Sequence, residues 1–536
     1  MSRVIFDNTP TAPTFNTTRA DVACFVGLVR LLPGASLPAT TVTWLSALGY
    51  SAAQIASLTN IPVMVEGYLR FTSIFDDGSA GTGFGTDYLA AGVRSFFAQG
   101  GKRCYVVRVD DPVTPNDAAL NRANKLMKVL PNTTFAPDQP QSWTGVGSLA
   151  PLEEVSILVT PDLPILSASQ PFAAGGQAPS TAAGPEEFVV CAKGDISPRQ
   201  ASTFSSPAPR LALADYTRWA ASVASILNYL SGGYLTHQLH LREIQFVTSF
   251  PIPQDNDPAA VAANPSAAEI AQDIHAVIQA QMPETPPPQD AVSPGNISSS
   301  FLQLAYPWVK TSNSGILLES LEAPDGVLAG LLARNALTRG TFTSATKITP
   351  SEVYDIYPAL PAQEIETNEE PLIWGDLPNG QPMQPKALIE RLSLFGFTPD
   401  GLRLLSDVTA YPGESYRAGP VARLCQVICR AARQMGETAV FQNNGPALWG
   451  SVQRFLQNLM TRLWNLNALD GATSSDAFTV RCDSSTMTQN DLDNGRVIAY
   501  VTFNPASMIE QITVKLAMET SGTSTQEIAA NLLGAF

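Results

Sequence analysis

Histidine is nearly missing from this chain: its 536 residues hold three, His237, His240 and His275. His237 and His240 form an HxxH pair that could share one helical face. A zinc site would need further ligands that the sequence does not place, and the expectation is a solvated helix end. Charge is also sparse. Only 15% of residues are charged against 45% hydrophobic, which excludes a disordered chain or a coiled coil. Basic residues are the scarcer sign, 32 Lys and Arg against 47 Asp and Glu, a net −15. That leaves no basic stripe for nucleic acid, and the acidic excess reads as solubility. No apolar run reaches the ~18 residues of a membrane span, so no membrane insertion is expected. The opening MSRVIFDNTP lacks the apolar run of a signal peptide, so folding in the cytosol is expected. Cysteine is scattered at Cys24, Cys104, Cys191, Cys425, Cys429 and Cys482, with no CxxC pair. All six lie in apolar stretches, as buried free thiols in a reducing compartment do. Cys425 and Cys429, four apart on an expected helix, read as core positions rather than soft-metal ligands.

The chemical signatures are missing too. There is no GxxxxGK[ST], no GxSxG and no HExxH. GTGFG at 81–85 lacks the third glycine of a dinucleotide loop and the acidic residue that should follow, so it reads as a Gly-rich turn. Asp110 and Asp111 close a strand, where catalytic carboxylates of α/β enzymes often sit, yet nothing converges on them. They read as a strand-end turn before Pro112. The alternative from another class is an α/β enzyme that uses these aspartates and the glycine loop at a nucleotide. Too few groups suited to proton transfer or nucleophilic attack come together to support it, so no enzyme, cofactor or metal is expected.

What the chain does hold is alternating helix and strand signal, enough for two to four domains. Residues 1–20 are a polar arm with one apolar group, Val4, Ile5 and Phe6. DVACFVGLVR (21–30) is a buried strand, weak helical signal follows at 41–60, and IPVMVEGYLRF opens as a strand. Asp87 can cap a helix with Leu89, Val93, Phe96 and Phe97 on one face; Gly100 and Gly101 stop it, and Cys104–Val109 is a strand. A helix near 117–130, strands at 155–164, 188–191 and 244–253, and a helix at 213–231 come next. Residues 253–300, with PETPPPQD and SPGN, have linker composition. GILLESLEAPDGVLAGLLARNALTRG reads as strand, turn at Pro324-Asp325-Gly326, and helix. An acidic loop with Glu364, Glu366, Glu369 and Glu370 leads to a helix at KALIERLSLFG, a strand at LRLLSDVT, and a helix over 418–435. That last helix places Val421, Leu424, Ile428, Ala431 and Met435 on one face. Residues 447–503 read as a long amphipathic helix, a loop, a strand, a capped turn and a second strand: a platform ending in an edge strand. Beyond it Ile512, Val514 and Leu516 alternate as a half-buried strand does.

Four segments, in this order, resemble the contractile tail sheath proteins of phages and of phage-tail-like contractile injection systems. They are the arm with TRADVACFVG, then AAGVRSFFAQGGKRCYVVRV, then AYPWVK with PDGVLAGLLARNALTRGTF, and last LWGSVQRFLQNLMTRLWNLNALDGATSSDAFTVRCDSSTMTQNDLDNGRV. The resemblance implies a mixed α/β, multi-domain sheath subunit. Its parts would be an arm at 1–20, a middle domain at 21–111 and 301–354, an outward-facing variable insertion at 112–300, a conserved C-terminal core at 355–505 and a second arm at 506–536. Implied partners are copies of itself in stacked hexameric rings, an inner tube protein, baseplate and tail-terminator or cap proteins, and paralogous sheath subunits. The subunit would assemble in a bacterial cytoplasm and contract from a metastable extended state without consuming nucleotide. Arms with strand character would pair with neighbouring subunits by β-strand addition, through Val4, Ile5 and Phe6 at one end, Ile512, Val514 and Leu516 at the other, and Val497, Ile498 and Tyr500 as the receiving strand. The opening residues RVIFDNTPTAP differ from the common phage form, which favours an injection system over a virion tail.

Overall fold

In a computed structural model the structure describes residues 20–78, 85–114, 117–132, 134–136, 138–169, 208–232, 239–253, 278, 282, 297–359, 388–399, 401–439, 442–506 and 512–518. Val4, Ile5, Phe6, Cys191, His237, His275, the 188–191 strand, most of the glycine loop and the acidic loop lie outside the described residues.

The strands β1 (Ala23–Leu28), β2 (Pro62–Val65), β3 (Cys104–Asp110), β4 (Ile157–Val159), β5 (Gln245–Ser249) and β6 (Leu302–Tyr306) carry long apolar runs. A hairpin of β7 (Trp308–Thr311) with β8 (Val353–Tyr357) follows, then β9 (Ser393–Thr398) and β10 (Gly401–Leu404). One eight-stranded sheet has the order β10-β9-β6-β5-β4-β1-β3-β2. The six strands from β9 to β3 are parallel, and each edge strand is antiparallel. A parallel strand covered on both faces needs apolar side chains on both, which is why β1 reads as a continuous run rather than an alternation.

The covering helices are α1 (Ala39–Ala47) and α2 (Ala52–Ser57), then α3 (Tyr88–Ala98), α4 (Ala119–Val129), α5 (Leu213–Ser231) and α6 (Asp325–Thr338). Ala23 and Phe25 of β1 pack into one core with Leu89, Val93 and Phe96 of α3 and Val327, Leu328 and Leu331 of α6. Cys24, Val26 and Leu28 face the other core, with Leu126 of α4 and Tyr216, Trp219 and Val223 of α5. The result is a three-layer, doubly wound α/β unit. Strands from all four ranges between residues 21 and 404 build it, β4 and β5 coming from within 112–300.

α3 and α6 cross at near backbone contact. A Cβ at Gly326 would lie 2.4 Å from Gly92 Cα, and one at Gly330 would lie 2.7 Å from the Phe96 carbonyl oxygen. Beside the crossing the buried Glu322 carboxylate accepts from the Ser95 hydroxyl and, at 3.0 Å, from Thr311 Oγ1.

Three local expectations are corrected. Asp87 sits at the N-cap of α3, but its carboxylate takes Arg30 Nη2 at 3.2 Å instead of capping the helix. Residues 314–320 form two 3-10 turns rather than a strand, because Glu319 and Ser320 adopt positive φ (52° and 55°). Leu388–Glu390 is a single 3-10 turn entering β9, so the helix read at 386–396 is, where described, one short turn followed by the first part of a strand; completing the parallel sheet outweighs local helical spacing.

A second core follows residue 410. The helices α7 (Gly419–Ala439) and α8 (Pro446–Asn465) pack with β11 (Phe478–Arg481) and β12 (Val497–Phe503), burying Val421, Leu424, Ile428, Leu456, Met460 and Phe503 among others.

Candidate assembly site in the C-terminal sheet

α8 starts with Gly445 and Pro446, the latter at a position where its missing N–H costs nothing. Val452, Leu456, Leu459 and Leu463 are buried in one stripe, with Phe455 half-buried beside it. Asn467 ends the helix in the left-handed region (φ 58°), and the Ala468 N–H donates to the Leu463 carbonyl at 2.9 Å. Thr473 and Asp476 then close a capping interaction, Thr473 Oγ1 donating to Asp476 Oδ2 at 2.7 Å. A second one starts the turn between β11 and β12: the Thr488 N–H donates to Asp491 Oδ2 at 2.9 Å, and the Asp491 N–H returns to Thr488 Oγ1 at 3.2 Å. Thr486 Oγ1 donates to the Ile498 carbonyl at 2.7 Å and ties that turn to β12. The exposed Asp483 carboxyl is held low by hydrogen bonds from the Ser485 hydroxyl and N–H.

β12 is not an edge strand. It is the middle of a three-stranded antiparallel sheet, with β11 on one side and β13 (Ile512–Met518) of the same chain on the other. The β12–β13 ladder runs through seven pairs from Val497↔Met518 to Phe503↔Ile512. The sequence reading took β12 for an edge strand, because local pattern shows that a strand wants a partner and not which segment supplies it. Eight residues, 504–511, join the two strands, enough for a hairpin. Of the expected interface residues, Val497 and Ile498 are buried, Tyr500 is half-buried, and Ile512, Val514 and Leu516 stand opposite Phe503, Val501 and Ala499 in register. Among the described residues no further strand pairs with the outer edge of β11 or β13.

The sheet is fixed to the α/β unit through α7, whose second face the sequence reading took no account of. Arg423, Gln426, Arg430 and Arg433 follow 3-4-3 spacing and set a polar row, its arginines buried and Gln426 half-buried, against the end of the large sheet. Arg423 holds Asp407 with two bonds, 2.9 and 2.7 Å, while Gln303 Nε2 and the Ala345 N–H also donate to that carboxylate at 2.7 and 2.9 Å. Burial alone would raise the Asp407 carboxyl, but Arg423 outweighs it and holds it low. Glu243 accepts from Arg430 Nε at 3.2 Å and from Arg433 Nε and Nη2 at 2.7 and 3.1 Å. Arg430 reaches on to Ser156 Oγ at 2.8 Å and the Val155 carbonyl at 3.0 Å. The signal was legible in principle: three arginines at helical spacing opposite an apolar stripe, in a chain with few basic residues.

His240 lies in this contact. It is buried, not solvated, in a 3-10 turn (Leu239–Glu243), with Nε2 3.2 Å from the Leu149 carbonyl. Burial and neighbouring Arg433 hold its pKa down. Cys425 faces the apolar core of α7 with Cys429 half-buried beside it, and burial pushes both thiols up. Asp110 bonds Lys128 Nζ at 2.7 Å and Asp111 bonds Arg108 Nη2 at 2.9 Å, so both carboxylates of the strand end are matched by basic side chains. Burial tends to raise Asp110, and the Lys128 and backbone hydrogen bonds override it. Among the described residues no group of three or more His, Cys, Asp and Glu could hold a metal ion, and no helix is long and apolar enough to cross a membrane.

No family model matches the chain, and no curated protein matches it. Solved structures do. A chain of the anti-feeding prophage baseplate, 6-fold symmetrised, superposes with a TM-score of 0.53 at 16% identity, covering 95% of this chain and 96% of that one. A chain of the same baseplate in its contracted state gives 0.51 at 14% identity, with 95% and 96% covered. A chain of the anti-feeding prophage helical sheath in the contracted state gives 0.50 at 15% identity, again covering 95% and 96%. The mixed α/β unit, the C-terminal core and the order in which they follow one another are thus the fold of contractile sheath structures, shared over nearly the whole length of the chain.

Proposed function

We propose that this chain is the repeating subunit of a contractile sheath. The observation that carries this is the similarity over 95% of the chain to chains of the anti-feeding prophage sheath and baseplate, together with a C-terminal sheet whose outer strand β13 follows β12 after eight residues. Subunits pack as stacked rings around an inner tube, with the baseplate at one end and a terminator or cap at the other. Strand addition between terminal arms and neighbouring C-terminal sheets joins them. Such head-to-tail contacts are heterologous and propagate as a helical array. Contraction then runs downhill from a metastable extended state and needs no nucleotide. The opening residues RVIFDNTPTAP, which differ from the common phage form, support an injection system over a virion tail.

The test is co-expression with the inner-tube protein and negative-stain microscopy. Tubes in two states, one longer and narrower and one shorter and wider, are the expected result. Single-state tubes would make the chain a static shell, and monomers alone would remove the sheath reading. Deleting residues 1–18 should leave a soluble folded subunit that builds no sheath; normal-length sheaths from that deletion would refute the role of the N-terminal arm.

A further inference from the structure

We propose that the free subunit caps its own assembly edge: β13 occupies, in the same chain, the β12 ladder that a neighbour's β13 takes in the sheath. This rests on the sheath reading above and adds the state of the subunit before it joins. Two observations carry it.

The first is the completeness of the ladder. All seven residues of β12 have a partner in β13. An open β12 edge would be a template for a neighbour's strand, and β13 denies it that one edge, while the outer edges of β11 and β13 carry no strand among the described residues. A neighbour's β13 is chemically the same strand and can adopt the same register, so exchange between copies replaces every main-chain bond it breaks.

The second is a fixed pivot. The chain leaving β12 is fastened as far as Ala506: the Asn504 N–H donates to the Ala477 carbonyl at 2.9 Å, the Asp470 N–H to the Asn504 carbonyl at 2.9 Å, and the Ala506 N–H to the Ala468 carbonyl at 3.0 Å. Pro505 bridges Leu469. Five residues, 507–511, then lead to Ile512. Fully extended, the steps from Ala506 to Ile512 reach about 20 Å. β13 can therefore leave its own sheet without disturbing β12, and it can land only on an edge within that radius.

The short link also sets when exchange happens. A strand tethered this closely competes at an effective concentration on the order of millimolar. At micromolar concentration free chains stay closed, because a second copy cannot match the tethered strand. On a growing ring, neighbours hold their edges at comparable density, and exchange is no longer outcompeted by the tethered strand. Sheath growth is thus confined to a template.

The experiment uses two cysteine pairs placed opposite each other in the ladder, Ala499→Cys with Leu516→Cys and, separately, Tyr500→Cys with Lys515→Cys. Neighbouring pairs of an antiparallel ladder alternate in separation, so one of the two suits a disulfide. Oxidised as free protein, the suitable pair should cross-link within one chain, and the locked chain should fail to join tube-templated sheaths by more than tenfold relative to the same chain after reduction. Sheaths built from reduced chains and then oxidised should yield covalent multimers. Locked chains that assemble as well as reduced ones, or assembled sheaths whose cross-links stay within single chains, would overturn the self-cap. Failure of the unsubstituted chain to form any tube would instead remove the sheath reading and the cap's purpose with it.

Discussion

Glu243→Gln tests how the C-terminal core is held to the α/β unit. Glu243 is 2% exposed and serves two guanidinium groups that are almost as buried, Arg430 at 2% and Arg433 at 3%. The glutamine keeps the shape and loses the charge. Arg433 retains Glu437 at 2.7 Å and Glu153 at 3.2 Å, both on the solvent side, so its loss is partly offset. Arg430 keeps its bonds to Ser156 Oγ and the Val155 carbonyl. Removing one partner of a buried pair costs about 3–5 kcal/mol, and the remaining carboxylates at Arg433 place this case near ~3 kcal/mol. With a urea slope of about 3 kcal/mol per molar, the midpoint should fall by roughly 1 M. Trp449 and Trp464 report on the C-terminal core, and Trp219 and Trp308 on the α/β unit. If α7 joins the two, the C-terminal signal should move first. The triple substitution Glu243→Leu, Arg430→Met, Arg433→Met should recover part of the loss, because the Glu243 carboxylate and both guanidinium groups then leave the interior together. A midpoint for Glu243→Gln within the equivalent of about 0.5 kcal/mol of the unsubstituted chain, the size of an ordinary surface effect, would refute the reasoning.

Three other outcomes follow from the structure. Burial pushes the Glu322 carboxyl up to about 7, and that of Asp325 likewise, so between roughly pH 4 and 7 the folded chain binds more protons than the unfolded one. Their contribution is therefore greatest at low pH, falls as pH rises through that window and is flat above it; Glu322→Gln should flatten part of this slope and raise the melting temperature at pH 8 more than at pH 5. Gly326→Ala, whose Cβ would meet the Gly92 backbone at 2.4 Å, should cost about 1–3 kcal/mol or more in urea unfolding, whereas Gly450→Ala, with nothing nearer than Arg454 Nη1 at 3.8 Å, should stabilise α8 by up to ~1 kcal/mol. Val514→Pro removes an N–H in the centre of β13 and should abolish sheath formation in co-expression while leaving the α/β unit folded. Wild-type contraction in that variant would argue against strand addition by the tail.

Much of this fold was legible in the residues. α5 falls on 213–231 as its spacing requires, and β1 reads as a doubly buried strand because its apolar run has no alternation. The elements of the C-terminal stretch follow from local chemistry: Pro446 at a helix start, Thr488 and Asp491 at a capped turn. What failed was non-local. The segment before β9 has helical spacing, yet it serves a parallel sheet whose neighbouring strand lies some ninety residues earlier, a partner that no window of sequence contains. His240 carries a polar side chain and reads as a solvated helix end until packing buries it, and the arginine row buried beside it on α7 drew no reading. The candidate assembly strands were identified by alternation, which says that a strand wants a partner and not which chain supplies it.

The two faces of α7 constrain how such a subunit can be recombined. Its apolar stripe belongs to one interior and its arginine row to another, so the helix cannot be exchanged with either module alone. A chimaera that grafts a foreign C-terminal core onto this α/β unit by cutting near residue 410 would import arginines, or their absence, opposite Asp407 and Glu243. Only a graft that carries those two acids across the junction with the helix would preserve the charge match; otherwise the module boundary that looks natural in the chain is the wrong place to cut.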